Sequence, residues 1–365
     1  MQNQRITILD VARDAQVSPA TVSRVLNGNT RVDLDLKNRV LQSVHRLSYV
    51  PNANAQSLIT HNTYEIGFLV SDISNFYYGT IARAVENIVN PQKYNLILCS
   101  TDEQKNREYD YLKTMMRRTV DALILNTTCL NNKLVVNMSK SIPIVLMNRI
   151  IDTPDFHGDI VDTDGYNGCK LLTHELLRAG HRKIYCIYGP DIYLNSKDRF
   201  RGFADAMAEY GITVSSGYPY LFNGQYTEYG GKCAVENLFT YSDPPTAILS
   251  LNNMSTLGVM QQLSHYHINI PEDISLAGHD YLYNMNLFKV QPVSALYDLD
   301  AISCCVGNAV LERIQNPSLP IRRYTFSPQI SEGNSIAPPS PLLAQKLNAA
   351  IKLQKNRMRN SSFKF

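Results

Sequence analysis

The sequence lacks any apolar run long enough to cross a bilayer, and its first residues are polar rather than apolar. A membrane-spanning helix needs about 20 consecutive apolar residues, and a secretory signal contains an apolar segment behind a basic start. We therefore expect no membrane partner and no signal peptide, and we expect a cytoplasmic, reduced protein.

Metal-binding patterns are missing too. The seven cysteines include no CxxC pair and no Cys/His spacing of the kind that binds zinc. Cys304 and Cys305 are adjacent, which favours packing within a buried helix over a redox switch. His265 and His267 have no further ligands near them, so a solvated loop is favoured there. We expect neither a metal nor a cofactor.

Catalytic signatures are also scarce. We find no GxSxG nucleophile motif, no glycine-rich phosphate loop and no paired catalytic carboxylates. The adjacent His279 and Asp280 could suggest catalysis, but neighbours along a strand point to opposite faces. The sequence therefore disfavours an enzyme.

Charged residues are moderately frequent, but basic and acidic residues are unevenly distributed along the chain. Residues 1–61 contain seven Lys/Arg and four Asp, and residues 342–365 contain six Lys/Arg and no acid. The segment 62–341 carries 22 basic and 28 acidic residues. A basic N-terminal segment followed by an acidic remainder suits contact with the phosphates of a nucleic acid at the N-terminal end only.

Residues 7–28 predict two short helices separated by a tight turn. Thr7 with Asp10 matches a capping box, and Ser18 followed by Pro19 is typical of a helix start. Apolar residues at helical spacing can share one small core: Ile8, Val11, Ala12, Val22, Val25 and Leu26. Small or hydrogen-bonding residues occupy the outward face of the second helix, which suits a major groove: Pro19, Ala20, Thr21, Ser23 and Arg24.

An ordinary helical hairpin is the alternative, but the pattern continues. A third helix is predicted over residues 33–47, with an apolar face formed by Leu36, Val40, Leu41, Val44 and Leu47. Residues 7–58, taken together, resemble the DNA-binding headpiece and hinge of the lac repressor (LacI/GalR) family. Two residues depart from the family pattern. Gln16 stands where a glycine is usual, at some strain cost if the left-handed conformation is required, and Leu36 replaces a threonine.

The resemblance implies a set of contacts to an approximately palindromic, double-stranded operator. They are Thr7, Ser18, Pro19, Ala20, Thr21, Ser23, Arg24, Asn27, Tyr49, Asn52, Ala55 and Leu58. It also implies that the hinge, residues 51–58, forms a helix only on DNA, with Leu58 inserted between central base pairs.

From residue 64 short apolar runs alternate with amphipathic stretches. Strands are predicted at 65–70, 95–99, 122–125, 143–147, 183–188, 247–250 and 274–277. Helices are predicted at 78–89, 104–118, 133–138, 166–179, 197–210, 227–240 and 255–266. This alternation predicts an α/β body of parallel sheets flanked by helices, with ligands bound at the carboxyl ends of the strands.

Several segments of the body, in order, resemble the family's effector domain, which has the two-lobed fold of periplasmic sugar-binding proteins. They include 71–77, 120–122, 180–184, 199–203, 245–248 and 270–280. The resemblance implies a helix-turn-helix headpiece (1–50), a hinge (51–63), an effector and dimerisation domain (64–336) and a proline linker with a basic tail (337–365). It places lobe 1 at about 64–162 and 294–323, and lobe 2 at about 163–293 and 324–336.

The same resemblance carries over a set of ligand-binding residues in the interlobe cleft: Tyr77, Tyr78, Asn148, Arg199, Tyr226, Asn252 and Asp280. Asn253 stands where the family usually has a carboxylate. The alternatives are a surface ion pair between Arg199 and Asp198, and plain core packing for the tyrosines.

The sequence thus favours a ligand-controlled transcriptional regulator, with a small polar effector, most plausibly a sugar, and a homodimeric state. A transport protein would share the body but has no use for residues 7–58. In the tail, Leu343, Leu347, Ala350 and Ile351 form one stripe that could support a tetramer. Because the heptads are not sustained, a disordered or surface-bound tail is favoured.

Overall fold

The computed structural model describes residues 6–26, 32–50, 62–215 and 217–340. The chain divides into two compact units, Met1–Tyr64 and Glu65–Phe365. Most of the predicted hinge (51–61) and nearly all of the tail (341–365) lie outside the described residues. In the part that is described, no helix is both long and apolar enough to cross a membrane.

Three helices form the described part of the first unit: α1 (Ile8–Asp14), α2 (Pro19–Leu26) and α3 (Leu34–Arg46). The starts of α1 and α2 are those predicted from their capping residues. The Asp10 carboxylate accepts hydrogen bonds from the Thr7 N–H at 2.9 Å and the Thr7 hydroxyl at 2.7 Å. The Ser18 hydroxyl accepts the Thr21 N–H at 3.1 Å, and Asp33 caps α3.

The core of this unit matches the prediction except on α3. Its buried residues are Val11, Ala12, Ala15, Val22, Val25 and Val40. Leu41, predicted on the apolar face, is 44% exposed, so that prediction is wrong. Ser43 is buried instead, because its hydroxyl donates to the Asp14 carboxylate at 2.5 Å and ties α3 to α1.

The turn between α1 and α2 contains a residue in the left-handed backbone conformation. Gln16 has φ 51°, where a glycine would be less strained. The Arg39 guanidinium donates to the carbonyls of Ala15 at 2.6 Å and Gln16 at 3.1 Å, so α3 holds the turn in place.

The second unit alternates strands with helices. Its strands are β1 (Glu65–Val70), β2 (Asn95–Ser100), β3 (Ala122–Leu125), β4 (Ile144–Met147), β5 (Asp159–Thr163), β6 (Ile184–Tyr188), β7 (Leu221–Asn223), β8 (Ala247–Ser250), β9 (Ser275–His279), β10 (Val293–Leu296), β11 (Arg323–Phe326) and β12 (Gln329–Ile330). Its α-helices are α4 (Phe76–Val89), α5 (Lys105–Arg118), α6 (Asn132–Met138), α7 (Gly165–Arg178), α8 (Leu194–Glu209), α9 (Glu228–Leu238), α10 (Asn253–His265) and α11 (Leu299–Gln315).

These strands form two six-stranded sheets, one in each lobe. The order in the first lobe is β11-β5-β4-β3-β1-β2, and in the second lobe β12-β10-β9-β8-β6-β7. Pairing is parallel except between β10 and β12. Buried apolar clusters cover the faces of each sheet, as expected for parallel sheets between helices.

The chain crosses between the lobes at slightly different points from those predicted. The predicted boundaries assign residues from 294 onward to the first lobe and from 324 onward to the second. Instead, β10 pairs with β9 in the second lobe and β11 pairs with β5 in the first. Each crossing therefore follows the end of a strand, and neither β10 nor β11 was predicted from the sequence.

Candidate functional site

The exposed face of α2 carries the residues predicted to read DNA. Pro19, Ala20 and Arg24 are exposed, and Thr21 and Ser23 are half-buried. Among the described residues, Arg24 forms no ion pair, so its guanidinium is available to an outside partner. A helix with small side chains and one such cation has the shape and donors that a major groove accepts.

The other predicted DNA contacts of this unit help to build it. The Thr7 hydroxyl is engaged by Asp10, and the Ser18 hydroxyl lies 2.9 Å from the Thr21 hydroxyl. Tyr49 is half-buried against the three-helix core. The remaining predicted contacts lie outside the described residues: Asn27, Asn52, Ala55 and Leu58.

In the second unit a cavity of about 530 Å³ lies between the lobes. Its walls come from loops that follow strands of both sheets, which is where ligands bind in α/β folds. The lining residues are Ser71, Asp72, Ser74, Asn75, Asp102, Glu103, Gln225, Tyr226, Thr227, Glu228, Asn252 and Met254. Two of the predicted ligand residues, Tyr226 and Asn252, are therefore at the wall of the cavity.

Some of the strained backbone positions lie around this cleft, while eight other described non-glycine residues with positive φ lie elsewhere. Six non-glycine residues at strand ends have positive φ: Asp102 (48°), Glu103 (57°), Asn148 (59°), Gln225 (53°), Tyr226 (58°) and Asp280 (72°). Asn and Asp tolerate this conformation, whereas Glu103, Gln225 and Tyr226 do so at a cost of order 1–3 kcal/mol each. Strain of this kind is typical of ligand clamps, so it marks the cleft as a functional region.

Arg199 and Asp280 form a buried ion pair. Arg199 Nη2 lies 3.2 Å from Asp280 Oδ2, and Nη1 donates to the Leu251 carbonyl at 2.8 Å. The two side chains are 6% and 14% exposed. Burial favours the neutral acid, but Arg199 and then His279 outweigh it and lower the pKa of Asp280 to about 2. Asp280 is therefore an anion at neutral pH.

The surface pairing considered for Arg199 is not formed, because Asp198 pairs with Arg201 at 3.0 Å. The expected divergence of His279 and Asp280 is wrong. His279 Nδ1 lies 3.1 Å from Asp280 Oδ1, because β9 ends at His279 and the positive φ of Asp280 turns its carboxylate back. His279 is fully buried, and its Nε2 lies 3.0 Å from the Tyr297 hydroxyl, so its environment is that of a packed core histidine.

The amide of Asn148 connects the predicted aromatic residues to the cleft. Its side-chain Nδ2 donates to the Tyr77 hydroxyl at 2.7 Å, and the backbone carbonyl of Asn148 accepts from Asn195 Nδ2 of the second lobe at 2.8 Å. Tyr78 accepts a hydrogen bond from Ser71 at 2.9 Å. Tyr77 and Tyr78 belong to the buried core of the first lobe and are not among the residues that line the cavity.

Asn252 caps α10 through its side chain, which accepts the Ser255 N–H at 3.1 Å. The neighbouring Asn253, where the family pattern has a carboxylate, contacts the other lobe. Its Nδ2 donates to Asn75 Oδ1 at 3.0 Å, and Asn75 Nδ2 donates back at 3.3 Å. The loss of a carboxylate thus coincides with an amide pair between the lobes.

Several residues near the cleft were not predicted from the sequence. The buried Arg149 pairs with Glu103, whose side chain is 40% exposed, Glu103 also contacts Tyr193, and Asn195 joins the lobes. The polar pair Asn148-Arg149 directly after an apolar strand was the available signal for Arg149. Glu103 and Tyr193 lie in loops without any pattern.

Five buried polar atoms in this region have no hydrogen-bond partner: Asn148 Oδ1, Asn195 Oδ1, Arg199 Nε, the Tyr226 hydroxyl and His279 Nδ1. Buried polar atoms are rarely left unsatisfied. The two amide oxygens can accept hydrogen bonds, and Arg199 Nε and the Tyr226 hydroxyl can donate, which is a set that a polyhydroxyl ligand can complete. Of the described residues, no three His, Cys, Asp or Glu are grouped so as to hold a metal ion.

Comparison with known proteins agrees with this division. The family model described as "Bacterial regulatory proteins, lacI family" matches residues 7–52, and "Periplasmic binding proteins and sugar binding domain of LacI family" matches residues 63–316. The chain is 32% identical to catabolite control protein A of Priestia megaterium over 82% of this chain and 90% of that protein. It is 29% identical to the ribose operon repressor of Escherichia coli K12 over 90% and 99%.

A solved LacI family transcriptional regulator from Enterococcus faecium, with bound ribose, has the same fold. It superposes with a TM-score of 0.67 at 26% identity, over 75% of this chain and 99% of that one.

Proposed function

Because the chain belongs to the LacI family of bacterial regulatory proteins, we propose that it is a repressor of a catabolic or transport operon, controlled by a small polar ligand. Its relatives are transcriptional regulators rather than enzymes. The observation that carries the proposal is the pairing of an exposed α2 face with a cavity between two lobes in one chain.

The effector is a sugar or glycoside bound in the cleft. In support, the cavity is lined by hydroxyl, amide and carboxylate groups, and a related regulator holds ribose. We assign ligand contact to Tyr226, Asn252, Asn148, Arg199 and Asp280, with Tyr77 and Tyr78 supporting them from the core of the first lobe.

The experiment has two arms. Genomic fragments bound by the purified protein are selected and sequenced, and ligands are screened by calorimetry, starting with D-ribose. The proposal expects enrichment of an approximate palindrome and a sugar that changes affinity for it. Enrichment of no sequence would contradict the DNA-binding role, and a full sugar panel without heat would contradict the effector class.

A homodimer is proposed, because one recognition helix reads only a few base pairs and a single headpiece gives little specificity. Sedimentation equilibrium at micromolar protein should show dimers, and monomers with and without operator would contradict this.

The hinge, residues 51–58, is proposed to contact the operator centre through Asn52, Ala55 and Leu58, with Asn27 at the end of the recognition segment. Leu58→Ala should weaken operator binding strongly while ligand affinity is unchanged. The role of a cytoplasmic regulator is part of the same proposal, since its DNA target lies there.

A further inference from the structure

Three side chains from both lobes meet at the edge of the cleft. Glu103 follows β2 and Arg149 follows β4 in the first lobe, and Tyr193 precedes α8 in the second. Glu103 and Arg149 form a two-bond pair, with Arg149 Nη1 at 2.7 Å from Glu103 Oε2 and Nη2 bonded to Oε1. The Tyr193 hydroxyl donates to Glu103 Oε2 at 2.7 Å. The second lobe thus contributes one member of a charged cluster.

The same tyrosine also covers the cation. The Arg149 guanidinium carbon lies 3.7 Å from the centre of the Tyr193 ring, a close cation–π distance. Arg149 is 6% exposed, and Tyr193 is 5% exposed. Burial raises the pKa of Tyr193, so its hydroxyl keeps its proton and remains a donor.

Glu103 lines the cavity but its carboxylate oxygens are already engaged. One bonds to Arg149, and the other accepts from both Arg149 and Tyr193. Arg149 Nη1 also donates to the Thr127 carbonyl at 2.8 Å. Within the described residues these groups therefore connect the two lobes, while Glu103, whose side chain is 40% exposed, also faces the cavity.

Other contacts cross between the lobes nearby. Asn75 pairs with Asn253, and the rings of Phe76 and Tyr283 stack with centroids 4.3 Å apart and planes 9° apart. These are neutral contacts. The bond from Tyr193 differs because its acceptor is a carboxylate, and charge-assisted hydrogen bonds are about twice as strong as neutral ones.

We propose that Tyr193 is a positioning residue that latches the second lobe onto the Glu103–Arg149 pair and so sets how often the cleft opens without ligand. The proposal rests on the proposed function only in that it concerns the same cleft. When the lobes separate, the hydrogen bonds between Glu103 and Arg149 remain, because both residues belong to the first lobe. The hydrogen bond from the Tyr193 hydroxyl and the contact of its ring with Arg149 are lost. The closed arrangement of the two lobes is therefore stabilised in part by the contacts of Tyr193, which do not involve an effector.

The test is hydrogen exchange of the ligand-free, full-length protein, with the variant Tyr193→Phe. This change removes one hydroxyl and keeps the ring over Arg149. We expect amides in residues 101–107 and 189–197 to exchange about tenfold faster, corresponding to about 1.4 kcal/mol in the opening equilibrium. Amides of β8 should be unchanged.

Tyr220→Phe is the matched control. Tyr220 is 7% exposed, and its hydroxyl donates to the Asp243 carbonyl at 2.9 Å within the second lobe. This control should leave exchange at 101–107 at the wild-type rate. Equal acceleration in both variants would overturn the latch, because it would reflect general loosening.

A double-mutant cycle with Glu103→Gln separates a latch from a merely structural tyrosine. If Tyr193 acts through the carboxylate, its substitution should change exchange much less in the Glu103→Gln background than in the wild type. Additive effects would overturn the assignment. Since neither DNA nor ligand is present, failure of the proposed function would leave these results intact.

Discussion

Substitution of Arg199 by methionine should destabilise the second unit and remove ligand binding together. Methionine preserves chain length and apolar contact, so the main change is loss of charge next to Asp280. Breaking a buried pair by removing one partner costs about 3–5 kcal/mol, because the remaining charge is uncompensated. Here His279 Nδ1 remains 3.1 Å from the carboxylate, so we expect the lower end, about 3 kcal/mol.

The matched variant is Arg199→Met combined with Asp280→Asn, which removes the stranded charge. It should recover most of the lost stability, since replacing both partners of a buried pair is often nearly neutral. Urea unfolding followed by circular dichroism measures both variants at pH 7, and the slope of each transition shows whether the unfolded reference has changed. Neither variant should bind the effector, and operator affinity should match the wild type.

The pH dependence of the free energy of unfolding is the most direct test of the Arg199–Asp280 pair. Because the pKa of Asp280 is lowered to about 2 in the fold, its contribution is present above the ordinary value of 3.8 and disappears as pH falls toward 2. The stability gap between wild type and Arg199→Met should therefore narrow below pH 4. A wild-type urea midpoint for the single variant, or unaltered effector affinity by calorimetry, would refute the role of the pair.

Three further outcomes are expected. Arg24→Ala should cost about 1–3 kcal/mol and relax preference at one base position per half-site, in a binding assay on a panel of operator variants; equal weakening of all sequences would instead indicate a phosphate contact. Gln16→Gly should stabilise the three-helix unit by about 0.5–1 kcal/mol in hydrogen exchange, since glycine relieves the left-handed strain at some entropic cost, and a loss of protection would contradict this. Burial lowers the pKa of His181 and His279 below 6.5, so these two groups should contribute a fall in the free energy of unfolding as pH drops through that value; titration of either ring at or above pH 6.5 in proton NMR spectra would be incompatible with neutral buried imidazoles.

The three-helix unit was predictable because its signals are local. Thr7 with Asp10 and Ser18 with Pro19 lie next to the helix starts that they define, and the structure confirms both starts; the third helix, predicted over 33–47 from its apolar face, is observed over Leu34–Arg46. The error at Leu41 arose from a contact with α1, since a polar bond from Ser43 to Asp14 outweighed apolar periodicity. Nothing in the spacing along α3 encodes that partner.

In the second unit, too, elements with a clear local sequence pattern were predicted, and elements that depend on contacts between distant residues were not. The apolar strands β1 and β3 have the predicted bounds, whereas β5 and β10 were not predicted. In β5, Asp159 is fully buried, and a buried charge inside a strand obscures the apolar pattern. Its partner Arg313 donates at 2.6 Å from 154 residues further along the chain, which no local pattern reports.

The strained strand ends explain why the cleft was predicted only in part. A residue that simply continues a strand points to one face of the sheet, toward the packed helices. At Asn148 and Asp280 a positive φ turns the backbone immediately after β4 and β9, and the side chains contact the Tyr77 hydroxyl and the Arg199 guanidinium respectively. Glycine would adopt this conformation with less strain but would bring no amide or carboxylate. A strained polar residue directly after a buried strand is therefore best explained by the need for its side chain. Glu103 lies three residues past the end of the half-buried strand β2, so neither this position nor a family motif marks it.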